Sequence, residues 1–234
     1  MIDVAANLAA VQARIDAACE AAGRDPGEVR LLPVSKTHRV ELLEAAYATG
    51  VRVFGENRVQ EAAHKAEHFA TLVDQGRPDL GWAMIGHLQT NKARQASAFA
   101  TEFHALDSLK VAQALARGLR DLGRTLDVYL QVNSSAEPQK FGVPPEEVEA
   151  LARAVHGLPE LRVRGLMTLA VFSDDEAAVG ACFERMVALR DRLPEELCGH
   201  ELSMGMSGDF ELAIGYGATT VRVGQAIFGA REPA

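Results

Sequence analysis

The feature that most constrains this chain is an alternation. Eight short apolar, β-branched runs recur at 31–35, 51–54, 82–85, 102–106, 126–132, 162–168, 201–204 and 219–223. Helical patterns lie between them, among them 39–49, 57–74, 108–122, 145–156 and 174–193. Parallel strands need a long crossover, usually a helix, so this alternation implies a parallel sheet covered by helices. Eight such units in 234 residues fit a closed (β/α)8 TIM-type barrel, for which ~250 residues is typical. An open doubly wound sheet is the rival, but it usually uses fewer strands at this length. Val4, Leu8, Val11 and Ile15 recur at helical spacing and add a helix ahead of the first strand. The stretches "RPDLG" (77–81) and "SSAEPQKFGVPP" (134–145) read as loops, so residues 1–234 form one domain. Ser108, Ser173 and Ser207 stand where helix N-caps are expected.

Composition narrows the function classes. With 48% hydrophobic residues the chain can bury one large core, and its net charge of −8 gives no general pull towards nucleic acid or anionic membranes. No run approaches the roughly 20 apolar residues that span a bilayer. The first 23 residues keep Asp3, Arg14 and Asp16 and lack a basic flank, so they do not read as a signal peptide. Cys19, Cys182 and Cys198 are odd in number and scattered, which fits reduced thiols in a cytoplasmic protein.

Barrels of this kind carry their sites at the C-terminal ends of the strands. There the sequence places Lys36, Glu56 and Asn57, His87, Asp107, Asn133, Met167 and Thr168, Ser207, and Arg222 with Gly224. In "LLPVSKTHRV" (31–40), period-2 alternation puts Lys36 on the face of Leu32 and Val34. An inward lysine there is a rim charge, an anchor for an anion, or an amine that attacks carbonyls. Ser207 after the seventh strand and Gly224 after the eighth suit a phosphate site, which barrel enzymes often build from these two loops and a short extra helix. Arg222 alternates with Val221 and Val223, so its guanidinium needs an acidic neighbour, an anion or a ring acceptor. The motif "HKAEH" (64–68) matches an inverted zinc-protease pattern. However, Val59, Ala62, Ala63, Ala66, Phe69 and Val73 form an apolar stripe almost opposite His64 and His68, which turns both histidines to solvent.

The segments "PVSKTH", "FGENRVQE", "MIGHLQTNK", "GLMTL", "LSMGMSGDFELAI" and "VRVGQAIFG", spread over residues 5–230, resemble the pyridoxal 5′-phosphate homeostasis protein family. These are single-domain relatives of the alanine racemase N-terminal barrel. The resemblance implies that pyridoxal 5′-phosphate (PLP) is held as an internal aldimine on Lys36. It also implies that Ser207 binds the phosphate, with backbone N–H groups at Gly224 and Gln225. Arg222 is then directed at the pyridine nitrogen, and Asn57 and Met167 line the ring pocket. Two departures stand out. Many relatives carry a second lysine where this chain has His38, and the family's "KSG" reads "KFG", with Phe141 after the retained Lys140.

What the family resemblance implies is a cytoplasmic carrier that buffers PLP and delivers it to apo PLP-dependent enzymes, as a monomer or weak dimer. The rivals are a PLP-dependent amino-acid racemase of low activity and a Schiff-base aldolase. Racemisation by alanine racemase uses a tyrosine opposite the lysine, contributed by a C-terminal β-domain. The sequence stops at Ala234, directly after the eighth strand, and Tyr47 and Tyr216 read as helical and Tyr129 as mid-strand. An arginine at the pyridine nitrogen also leaves the ring a poor electron sink.

Overall fold

The computed structural model of the protein describes residues 2–73, 79–135, 137 and 139–230. Its eight parallel strands are β1 (Arg30–Pro33), β2 (Val53–Glu56), β3 (Gly81–Met84), β4 (Glu102–Leu106), β5 (Leu126–Val132), β6 (Leu161–Thr168), β7 (Glu201–Met206) and β8 (Thr220–Val223). Their order in the sheet is β1-β8-β7-β6-β5-β4-β3-β2. The two ends of that order meet through a parallel bridge between Val34 and Gly55, where the Ser35 N–H donates to the Gly55 carbonyl at 3.0 Å. The alternation therefore closes into a (β/α)8 barrel, as its count requires.

The helices are α1 (Val4–Ala21), α2 (Val40–Ala48), α3 (Val59–Val73), α4 (Ala93–Phe99), α5 (Leu109–Asp121), α6 (Val148–His156), α7 (Glu176–Arg192), α8 (Phe210–Gly215) and α9 (Gln225–Phe228). Asp3 caps α1, accepting from the Ala6 N–H at 3.0 Å. This helix buries Val4, Leu8, Val11, Ile15 and Cys19 against α2, α8 and α9, while the Asn7 amide donates to the Ile227 carbonyl at 2.9 Å. The outer ring is thus continuous past the last strand. Phe54, Phe69, Trp82 and Phe228 pack between strands and helices around β2, with ring centroids 6.0–6.4 Å apart.

Several boundaries differ from the sequence expectation. The second strand starts at Val53, not Val51, because Arg52 folds back to donate to the Tyr47 and Val51 carbonyls and lies over the Tyr47 ring. It then continues through Gly55 and Glu56, which carry no apolar signal. Helix α4 has only seven residues and is too short to stand out in the sequence pattern. Ser108 caps α5 as expected, accepting from Val111 N–H at 3.4 Å. Ser173 instead accepts from the Asp175 N–H, and Asp175 is the cap of α7. Ser207 does not cap α8; Asp209 occupies that position. Asp74 and loop residues 77, 78, 136 and 138 lie outside the described residues.

In α3, Val59, Ala62, Ala63 and Phe69 are buried and His64 is exposed, whereas Val73's side chain lies outside the described residues. His68 departs from the expected solvated state: it is half-buried, pairs with Glu44 at 2.6 Å and meets the Phe69 ring edge-on. Among the described residues no group of three or more His, Cys, Asp or Glu side chains is placed to hold a metal ion. The three cysteines are free and buried, and burial pushes the Cys198 thiol up to about 12.

The tightest backbone approach in the barrel wall is at Gly165. The β5–β6 register slips between Val128 and Tyr129, and a Cβ at Gly165 would lie 1.9 Å from the Glu201 carbonyl oxygen. Gly165→Ala is expected to lower unfolding free energy by about 1–3 kcal/mol, read as a reduced urea midpoint. An unchanged midpoint would mean that the wall yields there without strain.

Candidate functional site

A cavity of about 540 Å3 opens at the C-terminal mouth of the barrel, and its wall includes Lys36, Asn57, Ser207, Arg222, Gly224 and Gln225. Six of the seven residues expected from the sequence therefore come together. Met167 does not reach the wall. It is buried on β6, in register with Gln131 and Ser203, where it fills the barrel beside them.

Lys36 owes its direction to strand alternation. Leu32 and Val34 are buried, and both would lie within 3.5 Å of a Cβ on Gly55, across the closing bridge. Ser35, one step out of phase, turns the other way and donates its hydroxyl to Glu56 Oε1 at 2.6 Å. Glu56, expected in the mouth, is buried behind β2 against α3 and does not line the cavity. His87 Nδ1 lies 3.2 Å from Asp107 Oδ2, and the Asn133 amide donates to the Glu137 carbonyl at 2.8 Å.

The loops after β7 and β8 form a small concave cradle. Gly205 has φ +92°, and a Cβ there would meet the Ala213 Cβ at 2.7 Å, so the turn into α8 requires glycine. Asp209 accepts from the Met206 N–H at 2.5 Å. That bond releases Ser207 from a capping role, and its hydroxyl makes no hydrogen bond to any described residue. At Gly224 a Cβ would lie 2.8 Å from the Val34 carbonyl. The amides of Gly224 and Gln225 open α9 and have no backbone acceptor among the described residues, whereas the Ile227 and Phe228 N–H groups donate to the Gly224 carbonyl at 2.9 Å.

Arg222 forms the floor. It is buried and donates to Ser203 Oγ at 2.8 Å and to the Thr168 carbonyl at 2.7 Å. Among the described residues no carboxylate lies within ion-pair distance of it, and burial pulls its guanidinium down to about 10. Below it a polar row crosses the barrel. Ser203 Oγ lies 2.9 Å from His104 Nδ1, His104 Nε2 lies 2.8 Å from Glu102 Oε2, and Arg30 binds Glu102 through two bonds of 2.6 and 2.7 Å. Donor counting fixes the polarity. The Glu102 carboxylate only accepts, so the Nε2–H of a neutral imidazole goes to it, His104 Nδ1 accepts the Ser203 proton, and a remaining Ser203 lone pair accepts from Arg222. Burial holds the His104 pKa down, outweighing the pull of Glu102. Burial alone would raise Glu102, but the bonds from Arg30 and His104 outweigh it and hold the carboxyl at about 2.

Three features of the mouth were not anticipated. Val143 pairs with β5, its N–H donating to the Gln131 carbonyl at 2.9 Å, and this fold-back lays Phe141 on His87 with ring centroids 4.3 Å apart. Phe172 and Leu169 complete an exposed apolar rim. His38, in the place of the relatives' second lysine, lines the cavity and packs on Phe228 at 5.3 Å.

A lysine, the loops after the last two strands and a buried guanidinium thus share one cavity at the mouth of a (β/α)8 barrel. The alanine racemase N-terminal domain family model matches residues 6–232. The chain is 46% identical to the pyridoxal phosphate homeostasis protein of Pseudomonas aeruginosa, covering 99% of this chain and 97% of that one. It is 40% identical to the pyridoxal phosphate homeostasis protein of Escherichia coli K12, covering 99% and 98%. The structure of PipY from Synechococcus elongatus with PLP bound superposes with a TM-score of 0.82 at 36% identity, covering 97% of this chain and all of that one. The chain belongs to the pyridoxal phosphate homeostasis proteins, within the family of the alanine racemase N-terminal domain.

The polar row predicts acid sensitivity of the fold. Glu102 falls from 4.5 when unfolded to about 2 when folded, so its stabilisation is full above pH 4.5 and is lost as pH falls through 2. His104 is lowered from 6.5, so it too favours the fold above its unfolded value and opposes it on acidification. Urea unfolding between pH 4.5 and 2 is expected to weaken more steeply in wild type than in Glu102→Gln. Parallel pH profiles would contradict the assigned charge of Glu102.

Proposed function

We propose that the protein holds PLP in the mouth cavity on Lys36, buffers it, and delivers it to apo PLP-dependent enzymes in the cytoplasm, without efficient turnover of its own. One observation carries this reading: among the described residues the buried Arg222 guanidinium donates only to neutral oxygens, and it faces a cavity that the loops after β7 and β8 also line. The homeostasis names of the relatives and the PLP in the PipY structure support it. No described helix is long and apolar enough to cross a membrane.

The side chains suit each part of the cofactor. The Ser207 hydroxyl and the amides of Gly224 and Gln225 suit the phosphate, and the missing Cβ of Gly224 lets this loop pack closely on Val34. The remaining N–H groups of Arg222 suit the pyridine nitrogen, Asn57 flanks the ring from the wall, and Met167 supports the floor from beneath. When bound, the cofactor supplies an aldehyde and a conjugated ring that accepts electron density. Lys36 brings the amine that captures the aldehyde with release of water.

Arg222 limits further chemistry. At about 10 it keeps its proton at neutral pH, so it offers the ring nitrogen a hydrogen bond and no proton transfer. No tyrosine lines the described cavity: Tyr47 lies in α2, Tyr216 ends α8, and Tyr129 donates to Glu201 at 2.5 Å. Racemisation therefore lacks a proton donor of that type on the face opposite Lys36.

Ser207→Ala removes one charge-assisted hydrogen bond, so PLP affinity is expected to fall about ten- to a hundredfold, while pyridoxal binds as to wild type. Equal losses for both ligands would make Ser207 a support of the fold. In a handover assay the loaded protein is expected to reactivate an apo PLP-enzyme and to racemise alanine at background rate. Turnover of order 1–1000 per second would make it an enzyme.

A further inference from the structure

Both neighbours of Lys36 are tied to one buried charge cluster. Lys65 on α3 is 5% exposed, and its three ammonium protons meet Glu56 Oε1 at 2.7 Å, Glu61 Oε1 at 2.7 Å and the Ser35 carbonyl at 2.8 Å. Ser35 also donates its hydroxyl to Glu56, and the Thr37 N–H donates to Glu61 Oε1 at 2.5 Å. Burial raises the Glu56 carboxyl against the pull of Lys65, and its Oε2 has no partner.

The segment held by this cluster is strained. His38 N–H donates to the Ser35 carbonyl at 3.1 Å, closing a four-residue turn around Lys36 and Thr37. Thr37 has φ +67°, the only positive φ at a non-glycine among the described residues. Turns with a positive φ at this third position ordinarily take glycine or asparagine, and a β-branched residue persists there only where its surroundings hold it. Burying an ammonium with two carboxylates costs desolvation that an apolar pair of equal volume would avoid. The cluster therefore does something that plain packing does not.

We propose that Glu61 and Lys65, with Glu56, are positioning residues that hold the strained 35–38 turn and thereby aim Lys36 into the cavity. The inference rests on the reading of Lys36 as the amine that captures PLP. Glu61 is the clamp on Thr37, Lys65 neutralises and spaces the two carboxylates, and Glu56 anchors Ser35. Without the clamp Thr37 relaxes out of the left-handed region and the ammonium samples directions away from the cradle.

The test uses Glu61→Ala, at a partly exposed position, and its combination with Thr37→Gly, because glycine adopts positive φ without strain. In the apo-protein, amide hydrogen exchange at residue 37 is expected to accelerate about tenfold in Glu61→Ala, and the rate of imine-band formation with added PLP to fall about tenfold. The double variant is expected to recover most of the capture rate without recovering the hydrogen bond. A cluster that only stabilises the fold would lower the apo melting temperature and leave capture unchanged at temperatures where the variant is folded; that result overturns the proposal. So does a double variant as slow as the single one. Absence of any Lys36-linked imine in wild type would instead remove the reading on which the inference rests.

Discussion

A guanidinium buried without a carboxylate organises this molecule from the inside. Taking Arg222 out of water is costly, and the barrel answers with the Ser203 hydroxyl and the Thr168 carbonyl. Glu102 is a carboxylate and only accepts, so a neutral His104 donates to it from Nε2 and accepts at Nδ1 from the Ser203 hydroxyl, which keeps a lone pair for Arg222. Arg30 then completes the carboxylate at the opposite end of the barrel. The carboxylate at one end thus sets the direction of the hydrogen bonds that run up to the cation at the mouth, whose unused donors remain on the cavity side. A ligand with a neutral ring acceptor satisfies them without reversing any of these bonds.

The parts of this arrangement that obey a repeat were legible in the sequence. Alternation gave the strand count, and the count gave a closed barrel with its mouth at the C-terminal strand ends. Period-2 phase placed Lys36 inward behind Leu32 and Val34, and placed Arg222 inward between Val221 and Val223. Ser207 and Gly224 were legible as residues of the mouth because they follow the seventh and eighth strands, and both line the cavity. The family motifs joined these separate signals into one cofactor.

What depended on side-chain direction after a strand ends was not legible. Glu56 and Asn57 are adjacent in sequence, yet only Asn57 enters the mouth, while Glu56 turns back to meet Lys65 from a helix. Lys65, between two histidines of α3, carries no signal in the sequence that it is buried with two carboxylates. Ser207 looked like a cap because serine favours that position, but Asp209 reaches the backbone first and leaves the hydroxyl for another use. Met167 is buried in register with Gln131, yet only Gln131 lines the cavity, a difference that strand phase does not resolve. The rim made by Phe141 and Phe172 comes from loops, where no period applies.

These pieces converge on one atom, the Lys36 Nζ, which the fold turns inward and the cradle and floor surround. The most direct test is borohydride reduction of the protein mixed with PLP, followed by peptide mapping. One pyridoxyl group per chain on the peptide containing Lys36, abolished by Lys36→Ala, is the result this account predicts. A label carried instead by Lys140 or Lys92, or no label at stoichiometric PLP, would contradict it.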